Sequence, residues 1–366
     1  MTIGSIMQAL EQWAPLRLQE EYDNAGLITG NPSWNCTGIL VSLDATETVV
    51  QEAINQGCNL VVSHHPIVFR GLKKINGKNY VERSVIKAIK HDIALFAIHT
   101  NLDNVLHGVN GSMADRLGLL NRQVLQPKRE LLEKMVVFVP LTHREPVLQA
   151  LFAAGAGQIG LYDECSFTAN GQGTFRASET ANPYVGEKGQ LHTEAESRIE
   201  VIYPVWLQKP VIKSLLQAHP YEEVAYDCYP LSNEYKQTGS GLIGELPEPV
   251  SPQRLMNQVS RAFEQPFIRF AAGSGREIRK IALCGGAGSF LIGAARAAGA
   301  DAFITADLKY HEFFDAENDL LLLDIGHFES EQFTIDLIID FIREKFPNFA
   351  VRKSGEITNP VQYFKP

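Results

Sequence analysis

Three fragments far apart in the chain place imidazole or carboxylate groups directly after an apolar run: Ser63-His64-His65-Pro66, His99-Thr100-Asn101-Leu102-Asp103 and Asp324-Ile325-Gly326-His327-Phe328-Glu329-Ser330-Glu331. Imidazole nitrogen and carboxylate oxygen are the donors that divalent cations take in proteins. Three imidazoles (His64, His65, His327) with two carboxylates (Asp103, Glu331) are enough for two ions, and a mixed nitrogen and oxygen shell suits zinc, iron or manganese. Two such ions about 3.5–4 Å apart turn a water between them into a nucleophile, so the chemistry expected of this set is metal-assisted hydrolysis. Neighbouring strand residues point to opposite faces, so His64 and His65 serve one centre only by addressing different ions. His327 and Glu331, four apart, share one face of a helix. His99 either ligates or, the better fit, supports Asp103 through hydrogen bonds.

Two further motifs could serve the same chemistry. Cys284-Gly285-Gly286-Ala287-Gly288-Ser289 follows an apolar run, and the bare amides of Gly285, Gly286, Gly288 and Ser289 are candidate donors to a phosphate or carboxylate. No Gly-Lys-Ser/Thr follows, so this is no P-loop, and a tight strand-to-helix turn is the competing reading. Thr305-Ala306-Asp307-Leu308-Lys309-Tyr310-His311 offers Lys309, Tyr310 and His311 as candidate acid or base groups and Asp307 as a partner that orients a ligand. A solvated helix start is the alternative there.

Residues so distant in sequence meet when strands of an open α/β fold deliver their C-terminal ends to one crevice. The pattern supports such a fold. Apolar runs at 39–43, 59–62 and 93–98 alternate with helical segments at 45–56 and 81–91, after a helix over residues 2–13 and a turn at Asp23-Asn24-Ala25-Gly26. Past about Lys128 the texture changes: strand 134–140, helix 145–154, a polar Gly-rich stretch to Gly189, strand 198–203, helix 209–218 and strand 224–229. Two β-α-β units in that order read as a ferredoxin-like α+β insertion. Alternation resumes with a helix over 251–263, strands at 280–284, 302–305 and 320–324, and a last helix over 330–346. Residues 53–64 and 296–305 echo one another, each a helix closed by glycine, then Asn or Asp, an apolar strand and a hydroxyl residue. The expected fold is therefore two similar α/β halves, residues 1–127 and 239–366, forming one domain interrupted by an inserted domain at 128–238.

At 366 residues and 45% hydrophobic composition the chain can bury more than one core. A net charge of −9 repels phosphates on average, which argues against nucleic acid as a partner. The five cysteines are scattered, with no C-x-x-C pair, which points to a reducing compartment without thiolate zinc. No run reaches the roughly 18 apolar residues of a membrane span and no leader is recognisable, so the expected location is the cytoplasm.

Taken in order, Asp23-Asn24-Ala25-Gly26-Leu27, Ser63-His64-His65-Pro66, His99-Thr100-Asn101-Leu102-Asp103, Cys284-Gly285-Gly286-Ala287-Gly288-Ser289, Lys309-Tyr310-His311 and Gly326-His327-Phe328-Glu329-Ser330-Glu331 resemble the motifs of the Nif-three-like dimetal family, often labelled GTP cyclohydrolase I type 2 homologs. The resemblance covers roughly residues 1–125 and 240–366, while the inserted segment with His219-Pro220-Tyr221-Glu222-Glu223 is similar to small trimerising domains of the PII and copper-tolerance type. It implies that His64, His65, Asp103, His327 and Glu331 hold two divalent cations with Glu331 bridging. It also implies a homohexameric ring with trimer contacts through the insertion and metal sites facing an internal cavity. Tyr22 stands where the family often has Trp, and Ala306 where it often has Gly; neither is an implied ligand. Two functions follow: a hydrolase of a nucleotide-like or small heterocyclic substrate, or a non-enzymatic metal-binding or regulatory assembly whose insertion senses a ligand.

Overall fold

A computed structural model describes residues 1–364. The chain divides into two compact units: residues 1–126 with the segment from Gln237 onward, and Pro127–Lys236.

The first unit holds two sheets. In one the strand order is Gly26–Thr29, Ala94–Ala97, Leu60–Ser63, Ile39–Ser42 and Val351–Lys353. Gly26–Thr29 runs antiparallel and the remaining pairs are parallel. Leu60–Ser63 and Ile39–Ser42 are buried along their whole length, because both faces of the sheet are covered. Ile39, Val41, Leu60, Val62 and Phe96 pack on one side with the helices Ile3–Trp13 and Thr334–Lys345, while Leu40, Val61 and Leu95 pack on the other with Glu47–Asn55 and Tyr80–Lys90.

The second sheet runs Arg269–Ala271, Leu321–Asp324, Ala302–Ala306, Ile278–Ala287, Tyr235–Val250 and Leu120–Lys128. Its three central strands are parallel and Arg269–Ala271 and Tyr235–Val250 antiparallel to their neighbours. In both sheets a run of parallel strands therefore brings its C-terminal ends to one edge, and the polar residues that follow those strands form the centre described below.

Each sheet borrows a strand from the distant end of the chain. Leu120–Lys128 joins the edge of the second sheet, and after Gly326 the chain returns to the first, where Thr334–Lys345 packs in its core and Val351–Lys353 adds to its edge. The last helix expected over 330–346 is two helices, His327–Glu331 and Thr334–Lys345, separated at Gln332 and Phe333.

The unit Pro127–Lys236 has the strands Leu132–Pro140, Ser166–Arg176, Leu191–Pro204 and Tyr226–Leu231, with helices Arg144–Ala153 after the first strand and Gln208–Ala218 after the third. The sheet is antiparallel, in the spatial order Ser166–Arg176, Leu191–Pro204, Leu132–Pro140, Tyr226–Leu231. Val137, Val139, Ile199 and Val201 pack against Val147, Leu151, Val211 and Leu215 of the two helices. The polar stretch expected before Gly189 thus contains an eleven-residue edge strand, Ser166–Arg176. Its Ser, Asn, Gln and Gly residues are nearly all exposed, so no alternation of apolar and polar positions marks it.

Among the described residues no helix is long and apolar enough to cross a membrane.

Candidate metal centre

Backbone pairing carries the ladder of Leu60–Ser63 one step past its end. The His64 amide donates to Ser42 O at 3.2 Å and the His65 amide to Leu43 O at 2.9 Å, which fixes where the two imidazoles leave the chain. After Ala94–Ala97, His99 opens the short helix Thr100–Asp103, whose last residue is Asp103, and the Asn110 side chain donates to Asp103 O at 2.9 Å. The turn out of Leu321–Asp324 passes through Gly326 at φ +86°, a conformation that favours glycine, and His327–Glu331 follows at once. Ser330 Oγ, inside that helix, accepts the Gly286 amide at 3.0 Å and locks it to the second sheet.

These three strand ends bring His64, His65, Asp103, His327 and Glu331 together around one carboxylate oxygen. Glu331 Oε2 lies 2.9 Å from His65 Nε2, 3.1 Å from His327 Nε2 and 3.9 Å from His64 Nε2. His65 Nε2 and His327 Nε2 face each other at 3.3 Å. His64 Nε2 and Asp103 Oδ1 are 3.6 Å apart, and both are buried without a hydrogen-bond partner.

Behind each ring stands an acceptor for Nδ1. Ile98 O takes His64 Nδ1–H at 2.8 Å, and the carboxylates of Asp44, Asp307 and Asp23 meet Nδ1 of His65, His327 and His99 at 2.8, 2.7 and 2.7 Å. An acceptor at Nδ1 fixes the proton there and leaves Nε2 as the lone-pair nitrogen turned toward the centre, the arrangement by which proteins orient metal-binding histidines.

The electrostatics follow from burial and proximity. Burial pushes the Asp103 carboxyl up to about 7, against the pull of His64 and with a further push from Glu331. Burial alone would lower His65, yet its hydrogen bonds to Asp44 and Glu331 prevail and push it up to about 9. His327 likewise rises, against burial, to about 11 beside Glu331 and Asp307. Burial opposes the charge of Glu331, but His327 and the other imidazoles hold its carboxyl well below the usual range. Without metal the cluster is a knot of imidazolium and carboxylate; with the protons gone it is a set of converging lone pairs.

Two groups could each hold an ion: His65, His327 and Glu331, and a second in which His64 and His65 are joined by His99. Buried orphan atoms at His64 Nε2 and Asp103 Oδ1, two imidazole nitrogens face to face and a mixed nitrogen and oxygen donor set all fit a divalent cation. Beside the cluster a cavity of about 410 Å³ is lined by Tyr22, Phe69 and Phe290 together with Asn104, Asn110 and Ser240.

Other candidates from the sequence fare differently. Asp307 sits behind His327 as an orienting carboxylate, and His99 is held by Asp23 with its ring 5.3 Å from those of His64 and His65. Lys309, Tyr310 and His311 are exposed and line neither the 410 Å³ cavity nor the cavity on the cluster's other side; the Tyr310 ring instead contacts His311 and Phe314. Asp307, at φ +57°, turns the chain outward at that point. The glycine motif is a packing device at two of its positions. The Gly285 amide donates to Asn110 Oδ1 at 3.0 Å and the Gly286 amide to Ser330 Oγ, so neither is free for an anion, and a Cβ at Gly286 would collide with Glu331 Oε1. Gly288 and Ser289 open the 3₁₀ turn Ser289–Leu291, ahead of a helix of only six residues.

Sequence reasoning gave no role to Asp44 or Asp23. Asp44 follows an apolar strand end as His64 does, so the same signal marks it. Asp23 stands in a turn distant in sequence from His99, where hydrogen bonds from His99 and Thr100 overcome its burial and hold it at about 2. For Asp44→Ala the expected outcome is a roughly 10–100-fold loss of metal affinity with the fold retained, since that is the usual cost of removing an orienting carboxylate. Competition against a chelator measures it; affinity equal to wild type would show that His65 needs no such support.

The model of the family described as Duf34/NIF3 (NGG1p interacting factor 3) matches residues 1–360. A Halalkalibacterium halodurans protein named GTP cyclohydrolase 1 type 2 homolog is 42% identical over 325 residues, 88% of this chain and 87% of the relative. A Bacillus subtilis protein of the same name is 37% identical over the same shares. Among solved structures, a Bacillus cereus protein related to NIF3 superposes with a TM-score of 0.86 at 38% identity, covering 100% of this chain and 99% of that one.

Proposed function

The chain belongs to the Duf34/NIF3 family, and on that premise we propose that it is a dinuclear divalent-metal protein acting as a hydrolase on a nucleotide-like or small heterocyclic substrate. The observation that carries this reading is the pair of buried, partnerless atoms His64 Nε2 and Asp103 Oδ1 beside a Glu331 carboxylate that His65 Nε2 and His327 Nε2 also meet. His65, His327 and Glu331 would hold one ion, and His64 with Asp103, joined by His99 or by Glu331, would hold the other.

Bound zinc, iron or manganese would supply Lewis acidity and activate water near neutral pH. The chain's own residues do the rest. Asp44, Asp307 and the Ile98 carbonyl hold three imidazoles in the tautomer that presents Nε2. Tyr22, Phe69 and Phe290 give the cavity beside the cluster aromatic faces on which a planar ring can stack, and Asn104, Asn110 and Ser240 give it polar edges. The two relatives named GTP cyclohydrolase 1 type 2 homolog support a heterocycle as the place to start.

The second reading is a metal-binding or regulatory assembly without turnover, in which the ferredoxin-like insertion carries the trimer contacts of a homohexamer and senses a ligand. A separate cavity within residues 127–236 favours it.

Elemental analysis of the purified protein is expected to return about two ions per chain, and a screen of GTP, other nucleotides and cyclic amides a rate that metal-stripped protein lacks. Two ions with no turnover on any of these would favour the regulatory assembly. A chain that takes up no metal would overturn both readings.

A further inference from the structure

The unit Pro127–Lys236 carries a cavity of about 770 Å³ that shares no residue with the metal centre. Side chains alternate along its strands: Val137, Val139, Ile199 and Val201 face the helices, whereas Phe138, Glu196 and Arg198 line the cavity, which therefore lies on the sheet's helix-free face. A turn at residues 221–225 and the loop through Pro183 and Tyr184 wall it off, and the Asn182 amide ties loop to turn by donating to Glu222 Oε1 at 2.8 Å.

Four aromatic rings line it, those of Phe138, Phe175, Tyr184 and Tyr221, with one buried carboxylate, Glu196. The Phe175 and Tyr184 rings lie 6.1 and 6.2 Å from that of Tyr221. Glu196 is 8% exposed, and its Oε1 accepts the Tyr221 hydroxyl at 3.1 Å. Two guanidinium groups also line the cavity, and neither forms an ion pair with Glu196: Arg198, on the same strand face, gives its guanidinium to Glu200 at 2.9 Å, and Arg176 stands at the end of the edge strand Ser166–Arg176. A buried carboxylate without counter-charge is costly, and the fold makes room for this one: a Cβ at Gly173 of the neighbouring strand would collide with Glu196 Oε2. Glu222 and Glu223 add negative charge at the rim.

We propose that this cavity binds an organic ammonium cation, its charge held by Glu196 and its apolar substituents by the faces of Phe175, Tyr184 and Tyr221. Aromatic faces carry negative potential, and a cage of them beside a carboxylate is how proteins take up quaternary ammonium groups. A bare metal ion fits poorly, because one carboxylate and one hydroxyl fall short of the oxygen shell that calcium or magnesium requires. An anion would meet three carboxylates against two guanidinium groups, one of which, Arg198, is already paired with Glu200, and the volume lies in the range of small-molecule sites.

Calorimetric titration of the full chain with choline is the test, beside 3,3-dimethylbutan-1-ol, which has the same shape and no charge. Choline is expected to bind saturably and at least about tenfold more tightly than the alcohol. Glu196→Gln keeps the side-chain volume and an acceptor for Tyr221 while removing the charge, and should cost choline at least that factor. Tyr184→Ala, on the loop outside the sheet, should weaken it independently, with circular dichroism melts confirming that both variants fold. Equal affinity for choline and the alcohol, unchanged choline binding in Glu196→Gln, or no saturable binding of either choline or benzyltrimethylammonium would each overturn the proposal.

Discussion

Replacing Glu331 by Gln is expected to leave the protein unable to hold metal. The side chain is 3% exposed, and its Oε2 lies within 4 Å of three imidazole nitrogens, two after the strand Leu60–Ser63 and one after Leu321–Asp324. Asp307 meets His327 only at Nδ1, on the far side of the ring, so on the proposed reading both donor sets would lose their common member together. Removing an outlying orienting group already costs about 10–100-fold in affinity, and the shared ligand should cost more than about a hundredfold. There is a second consequence in the metal-free protein. Asp44 and Glu331 together hold His65 protonated against burial, and Glu331 with Asp307 holds His327 so; breaking a buried ion pair from one side typically costs about 3–5 kcal/mol. Chelator-treated Glu331→Gln should therefore melt below chelator-treated wild type, and elemental analysis should find it empty. Wild-type metal content in this variant would remove Glu331 from the centre.

How much of this could be read from the chain alone depends on what kind of signal each residue leaves. Leu60–Ser63 and Leu321–Asp324 are buried on both faces, so they stand out as short apolar runs, and the polar residues that end them stand out in turn. The same rule misleads at Ala302–Ala306. That strand is just as buried, but a positive φ at Asp307 delivers one carboxylate to His327 and then carries Lys309, Tyr310 and His311 away from the cavities. Backbone turns of this kind leave little trace when the residue is not glycine.

Other features are set by tertiary pairing. Val351–Lys353 is a strand because Ile39–Ser42 offers it an edge, and Ser166–Arg176 because Leu191–Pro204 does; neither carries an apolar alternation of its own. The break between His327–Glu331 and Thr334–Lys345 follows the same logic. Phe333 packs beside Phe263 under the Arg116 guanidinium, and the Gln332 side chain donates to Phe263 O, contacts with the end of the helix Pro252–Ala262 and with the helix Val109–Leu117, both far upstream.

The last expectation is a steep dependence of metal affinity on pH. Without metal, His65 titrates at about 9, His327 at about 11 and Asp103 at about 7, so near neutrality two imidazoles and part of a carboxyl carry protons that an ion must displace. Each displaced proton weakens binding about tenfold per pH unit of acidification. Affinity should therefore fall about a hundredfold per unit between pH 8 and 7, more steeply below 7 as Asp103 joins, and more gently above 9 where His65 has already released its proton. Stability follows with the opposite sign in the metal-free protein. His65 and His327 lie above their ordinary 6.5, so the stability they contribute is complete below that value and is lost as pH rises through about 9 and 11. Glu331 lies below its ordinary 4.5, so its contribution is present above that value and is lost in acid. Metal reverses the upper limb, because the deprotonated imidazoles that weaken the empty cluster are the ones that bind. The rise in melting temperature on adding zinc should thus be small at pH 6 and large at pH 9. A rise that does not change over that range would mean that His65 and His327 are not the groups the ion displaces protons from.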